Sequence, residues 1–133
     1  MEQTLLLIKP DAIERNLIGK IISRIEETPL RILDMKMVMF TRKMTEKFYG
    51  EHKGKEFYDR LINYMADKEV VALKLEGKNA IKALRVLVGA TDPKKARKNT
   101  IRSDFGLGTP QNSVHASDST RSAKREIDFF FED

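Results

Sequence analysis

The chain of 133 residues carries 25 Lys and Arg against 20 Asp and Glu, a formal net charge of +5, with 41% hydrophobic and 34% charged residues and neither Cys nor Trp. Length argues against two domains and the apolar share against disorder, so a single domain over residues 1–133 is expected. Without Cys there is no disulfide framework, no thiolate-bound metal or iron–sulfur cluster, and no thiol nucleophile.

The opening Met1-Glu2-Gln3-Thr4 has no basic run, and the apolar Leu5 to Ile8 ends at Lys9, too short for a signal core or a membrane span. A cytoplasmic protein without a membrane anchor is expected. Gln3 to Ile8 reads as a buried strand that delivers Lys9 to a turn at Lys9-Pro10-Asp11. Leu17, Ile18, Ile21, Ile22 and Ile25 share one helical face, which Thr28-Pro29 stops. Leu30 to Phe40 alternates as a strand long enough to pair on both sides.

Thr45 reads as a helix cap, leading past Phe48, Tyr49 and Gly54 into a second helix with Phe57, Tyr58, Leu61, Ile62 and Met65 on one face. Val70 to Leu75 is a third strand. Lys78 to Val88 is a helix closed by Gly89. Ala90 to Ser113 shows no period and reads as a loop of more than 20 residues. Val114 opens a last strand, and Ser119 caps a helix with Ala123, Ile127 and Phe130 inward. This order predicts an α+β ferredoxin-like sandwich: a four-stranded antiparallel sheet with helices on one face, a helical hairpin, and a long basic loop before the last strand.

Eight basic residues between Lys78 and Arg102 face one acid, Asp92, a local +7 that leaves −2 for the rest of the chain. Such a patch attracts phosphates. An RNA-binding sheet is the rival use, but the strands at Thr4 to Ile8 and Val70 to Leu75 are aliphatic where such sheets present aromatics. Nucleic-acid binding is not required by the sequence.

Of two histidines, His52 in Gly50-Glu51-His52-Lys53-Gly54 reads as an exposed turn residue. His115 sits among small and hydrogen-bonding residues just before the last helix, whose N-terminal N–H groups suit an anion. Glu126 can reach back to accept one ring N–H, leaving the other nitrogen as the lone pair that a histidine nucleophile needs. No phosphate-binding glycine loop is present, so side chains must hold any phosphate. Lys9, Arg85 and Arg102 are candidates. Each also has a plain reading: a strand-end charge, a solvated helix face shared with Lys78 and Lys82, and a partner of Asp104.

Three segments in order carry a resemblance: Ile8-Lys9-Pro10-Asp11, Thr100-Ile101-Arg102-Ser103-Asp104-Phe105 and Asn112-Ser113-Val114-His115-Ala116-Ser117-Asp118-Ser119. Along its whole length the chain resembles the nucleoside diphosphate kinases. The resemblance implies a ping-pong transfer of the γ-phosphate of a nucleoside triphosphate to a nucleoside diphosphate through phosphorylated His115, with broad base tolerance. Glu126 and Ser117 would orient the imidazole, and Lys9 and Tyr49 would stabilise the phosphoryl group in flight. Arg85, Thr91 and Arg102 would grip phosphates, Asn112 with Lys9 the ribose, and Phe57 the base. Mg²⁺ would arrive on the substrate phosphates without a direct protein ligand.

The sequence departs from that family at Ala12 and Ala116, where glycine is usual, and at Phe48, where histidine is frequent. Either alanine is compatible with function only at negative φ. The resemblance also implies a symmetric homo-oligomer, a hexamer favoured over a tetramer because the long loop is full length. The chain's end at Phe129 to Asp133, without the tail that braces neighbours in many relatives, weakens that choice.

Overall fold

A computed structural model describes residues 1–131; the last two residues of the C-terminal run discussed above, Glu132 and Asp133, lie outside the described part. Four strands, β1 (Glu2–Ile8), β2 (Arg31–Phe40), β3 (Lys68–Gly77) and β4 (Val114–Ala116), form one antiparallel sheet in the order β2-β3-β1-β4. The helices are α1 (Pro10–Glu14), α2 (Ile18–Glu26), α3 (Arg42–Phe48), α4 (Tyr58–Met65), α5 (Ala80–Val88), α6 (Ile101–Phe105) and α7 (Thr120–Phe131). Among the described residues, no helix is long and apolar enough to cross a membrane.

The predicted α+β fold with a four-stranded antiparallel sheet is present, but its helices cover both faces of the sheet, where the sequence order suggested one. The reason is visible in β1, whose residues from Thr4 to Ile8 are all buried. Alternation sends Leu6 and Ile8 into a core with Ile21 and Ile25 of α2 and Leu84 and Val88 of α5. Leu5 and Leu7 enter a second core with Phe48 of α3, Leu61, Ile62 and Met65 of α4, and Ile127 and Phe130 of α7. A strand apolar at every position needs cover on both sides.

Further differences are local. Lys9-Pro10-Asp11 starts the short helix α1 rather than a plain turn, because Pro10 occupies its first turn, where a missing N–H costs nothing. Thr41 caps α3, its hydroxyl accepting from the Met44 amide at 3.2 Å, while Thr45 is inside that helix and donates to the Thr41 carbonyl at 2.8 Å. Strand β2 pairs only with β3, so one edge is free and not both paired; its register slips between Ile32 and Asp34. The segment from Ala90 to Ser113 is not bare loop: it contains a 3₁₀ turn at Pro93–Lys95 and α6. Helix α5 begins at Ala80, so Lys78 lies outside the face it was expected to share with Arg85.

Gly89 ends α5 at φ +90°, and a Cβ there would lie 2.6 Å from Thr100 Oγ1 and 2.8 Å from Thr100 Cβ. Gly89→Ala combines a left-handed strain with a clash, so it should destabilise the fold by about 2 kcal/mol or more, measured as the urea midpoint at unchanged m-value.

Candidate active site

Register places the histidine. His115 is opposite Leu7 in the β1/β4 ladder and therefore points to the face covered by α3 and α7, whereas Val114 and Ala116 turn into the other core. There its ring lies 5.3 Å from that of Phe48 and 5.9 Å from that of Tyr49, both near edge-on. His115 Nε2 is 2.8 Å from Glu126 Oε1. The Ser117 hydroxyl donates to the same oxygen at 2.7 Å. A carboxylate only accepts, so Nε2 carries the proton and Nδ1 of the neutral ring keeps its lone pair. Ser119 caps α7 by accepting from the Ser122 amide at 3.0 Å, as the sequence indicated.

The cations beside this pair have an unusual set of partners. Lys9 Nζ donates to Asn112 Oδ1 at 2.8 Å and to the Pro110 carbonyl at 3.1 Å. Arg102 donates to the carbonyls of Gly89 at 3.0 Å and Val114 at 2.9 Å. Arg85 donates to the Ala116 carbonyl at 3.1 Å. Among the described residues none of the three is ion-paired with a carboxylate; Asp104, which sequence adjacency offers to Arg102, pairs instead with Arg24. Neutral dipoles hold the positive charges in place without cancelling them, which leaves them available to an anion.

Four buried side-chain atoms among the described residues lack a hydrogen-bond partner: Thr4 Oγ1, Tyr49 Oη, Arg102 Nε and Arg125 Nε, of which Tyr49 and Arg102 are the two that the sequence placed in the site. Tyr49 is 4% and Arg102 7% exposed. Both line a cleft of about 230 Å³ together with Lys9, Arg85, Thr91, Asn112, His115 and Glu126. An adjoining chamber of about 200 Å³ is walled by Arg60, Thr109 and Pro110, and it shares Lys9, Phe57, Leu61, Thr91 and Asn112 with the cleft. Asn112 Nδ2 donates to the Thr91 carbonyl at 2.8 Å, joining the two ends of the long basic segment. All the candidates gather here except that Ser117 stands behind Glu126, in contact with the carboxylate rather than in the cleft wall.

Burial, reinforced by the Arg102 charge, lowers the Lys9 pKa to about 7 despite the opposing pull of Asp11. Burial and Arg85 lower Arg102 to about 10. Burial, with the charge of Glu126, pushes the Tyr49 hydroxyl upward, so it remains a donor. Burial would raise Glu126, but hydrogen bonds from His115 and Ser117 and the nearby Arg125 bring it below the usual carboxylate range.

Other residues were not legible as part of the site. His52 is half-buried in the cleft, its ring 5.4 Å from Phe57, and is not the exposed turn residue expected. Asp118 and Arg125 line the cleft too. Asp118 stands inside the motif around His115 with no role assigned to it, and the only sequence signal for Arg125 is adjacency to Glu126. The basic segment is pinned from afar: Arg15 donates to the Phe105 carbonyl, and Arg24 to Asp104 and to the Asn99 carbonyl. Ala12 and Ala116 lie in α1 and β4, neither at positive φ, so their methyl groups are accommodated.

A family model described as nucleoside diphosphate kinase matches residues 2–133. The chain is 52% identical over 132 residues to a Methanocaldococcus jannaschii protein named nucleoside diphosphate kinase, covering 99% of this chain and 94% of that one. The fold superimposes on a crystal structure of the Aquifex aeolicus nucleoside diphosphate kinase with a TM-score of 0.95 at 42% identity, covering 98% and 95% of the two chains. The apo structure of the Encephalitozoon cuniculi nucleoside diphosphate kinase gives 0.96 at 38% identity over 100% and 90%.

The lowered Lys9 pKa carries a sign that can be measured. Between about 7 and the ordinary value of 10.5, the unfolded chain binds more protons at Lys9 than the folded one, so unfolding free energy rises with pH through that window. The unliganded protein should therefore gain stability from pH 7 to 9 relative to Lys9→Met, whose titration lacks this group; parallel pH–stability curves for the two proteins would contradict it.

Proposed function

Because the chain belongs to the nucleoside diphosphate kinase family and is by that membership a phosphotransferase, we propose that His115 carries the phosphoryl group between nucleotides. Nδ1 attacks the γ-phosphorus of a nucleoside triphosphate; the bond to the β,γ-bridging oxygen breaks, and that oxygen leaves with the electron pair on the diphosphate. In the return half, a terminal oxygen of an acceptor diphosphate attacks phosphohistidine, and the N–P pair returns to Nδ1. Glu126, held by Ser117, keeps the proton on Nε2 and balances the charge that the ring acquires on phosphorylation.

Lys9 and the spare Tyr49 hydroxyl face the group in flight. Arg85, Thr91 and Arg102 grip the outer phosphates, and Asn112 with Lys9 takes the ribose hydroxyls. The base stacks on Phe57, which is 41% exposed at the cleft mouth. Stacking on a ring face without reading base edges gives broad base tolerance. Mg²⁺ is part of the substrate in this reading, neutralising the nucleotide phosphates. Among the described residues there is no cluster of three or more metal-ligating side chains that would hold it alone. The reaction is placed in the cytoplasm.

The observation that carries this reading is the Nε2 bond to Glu126 set beside three cations that have no carboxylate partner among the described residues. Incubation with γ-labelled ATP should give an acid-labile, alkali-stable phosphoenzyme that is absent from His115→Ala. Label on any residue other than His115 overturns the mechanism.

The assembly proposed with it is a homo-oligomer built on a two-fold dimer, a hexamer before a tetramer. Its support is the unpaired edge of β2, where Met35, Met37 and Met39 are 53%, 50% and 54% exposed in a row on one face. An edge of that length without blocking charges on the Met face invites pairing with a copy of itself. Light scattering should report a multiple of the 15.3 kDa chain mass. A fully active species at the single-chain mass overturns the assembly.

A further inference from the structure

We infer that Arg125 is a positioning residue for transfer at His115: its guanidinium ties the end of α3, which delivers Tyr49, to the Glu126 carboxylate on α7. The inference rests on the reading of His115 as the phosphorylated residue. Arg125 Nη1 donates to the Phe48 carbonyl at 3.1 Å, Nη2 lies 3.6 Å from Glu126 Oε2, and Nε lies 3.3 Å from Glu51 Oε1. The guanidinium carbon is 5.8 Å from the centre of the Phe48 ring. One side chain thus reaches three different elements: α3, the 3₁₀ turn at Gly50–His52 and its own helix.

The Phe48 carbonyl is among those that the end of α3 leaves without an intrahelical partner, and it sits at the negative end of that helix, so a cation there is stabilising. Phe48 in turn packs its ring against His115, and Tyr49 follows it directly. At the other end, Glu126 Oε1 is fully engaged by His115 and Ser117, and Arg125 is the ion-pair partner of Oε2 among the described residues. A solvated surface arginine would look different. Lys124, its neighbour on α7, reaches a single partner, Asp128, with side-chain exposures of 81% and 44%. Arg125 is 35% and Glu126 5% exposed.

The electrostatic consequence has a definite sign. A bare carboxylate bonded to an imidazole favours the protonated ring, which has no lone pair to attack with; a guanidinium on its second oxygen opposes that. The remaining charged and titratable groups around the pair are Lys9, Arg85 and Arg102 on one side, Glu51, His52 and Tyr49 on another, and Asp118 before α7. Of these, Glu51 loses its ion-pair partner when Arg125 is changed, and Tyr49 loses the tie through the Phe48 carbonyl.

The test is the single-turnover rate of phosphoenzyme formation from γ-labelled ATP across pH, with steady-state kcat and KM, on the parent, Arg125→Met and Arg125→Lys. For Arg125→Met, kcat should fall about tenfold with KM within about twofold, because the proposed nucleotide contacts at Lys9, Phe57, Arg85, Thr91, Arg102 and Asn112 are untouched. Its acid-side midpoint should move to higher pH by about half a unit. Arg125→Lys should restore the midpoint but only part of kcat, since one ammonium cannot both bond the Phe48 carbonyl and stay beside Glu126 Oε2. Arg125→Gln, which keeps a donor for Phe48 without the charge, replaces the Met variant if that does not fold. A neutral variant with the parent's rate and midpoint, or one that raises KM alone, overturns the inference while the parent still labels His115. A parent labelled elsewhere overturns the reading of His115 itself.

Discussion

Gathering Lys9, Arg85 and Arg102 around one histidine, none of them ion-paired with a carboxylate among the described residues, is the constraint on which the rest of the molecule depends. Burial disfavours these charges first and their mutual repulsion adds to it, and the depressed values for Lys9 and Arg102 record the combined cost. The chain meets it with neutral acceptors: four backbone carbonyls and one side-chain amide hold the three cations at hydrogen-bond distance. A carboxylate in any of those places would stabilise the empty protein and weaken its grip on phosphate. Elsewhere the same residue types are used in the ordinary way, as in Arg15 with Asp11 and Arg24 with Asp104.

Those carbonyls must come from backbone that would otherwise be irregular and mobile, and the architecture supplies their rigidity. Gly89, Pro110 and Val114 lie at the borders of the segment between α5 and β4. Clamps from α1 and α2 hold that segment, and close contact between Gly89 and Thr100 adds to them. Asp11 anchors the near side: the Tyr64 hydroxyl donates to it at 2.7 Å and Ser113 at 3.3 Å. The three-residue strand β4 therefore needs only to set the direction of His115, which alternation against β1 does.

Much of this was legible in the sequence because the signals are local. The apolar run of β1, the face of α2, the glycine after α5 and the inward face of α7 follow from spacing alone, and the motif around His115 singles out the histidine that the cleft gathers around. What could not be read is non-local or finely balanced. Thr41 and Thr45 both suit a cap, and only the extended backbone leaving β2 decides for Thr41. Helices of five residues, α1 and α6, have too few positions to show a period. Arg15, Arg24 and Arg125 act across 90, 80 and 77 positions, so no window along the chain could join them to their partners. His52 sits in a charged stretch that looks solvated until α4 folds back and brings Phe57 to it.

The idle Tyr49 hydroxyl and Arg102 Nε bear on the life of the protein as well as on its chemistry. Each unpaired buried donor withholds roughly 1–3 kcal/mol from the folded state until something accepts from it. An anion that does so binds only the folded chain, so nucleotide in the cleft shifts the unfolding equilibrium by mass action. The fraction of time the backbone spends open to proteases is then governed by how often the cleft is filled. In the proposed reading, phosphates that accept from these two atoms would tie the protein's persistence to the abundance of its nucleotides.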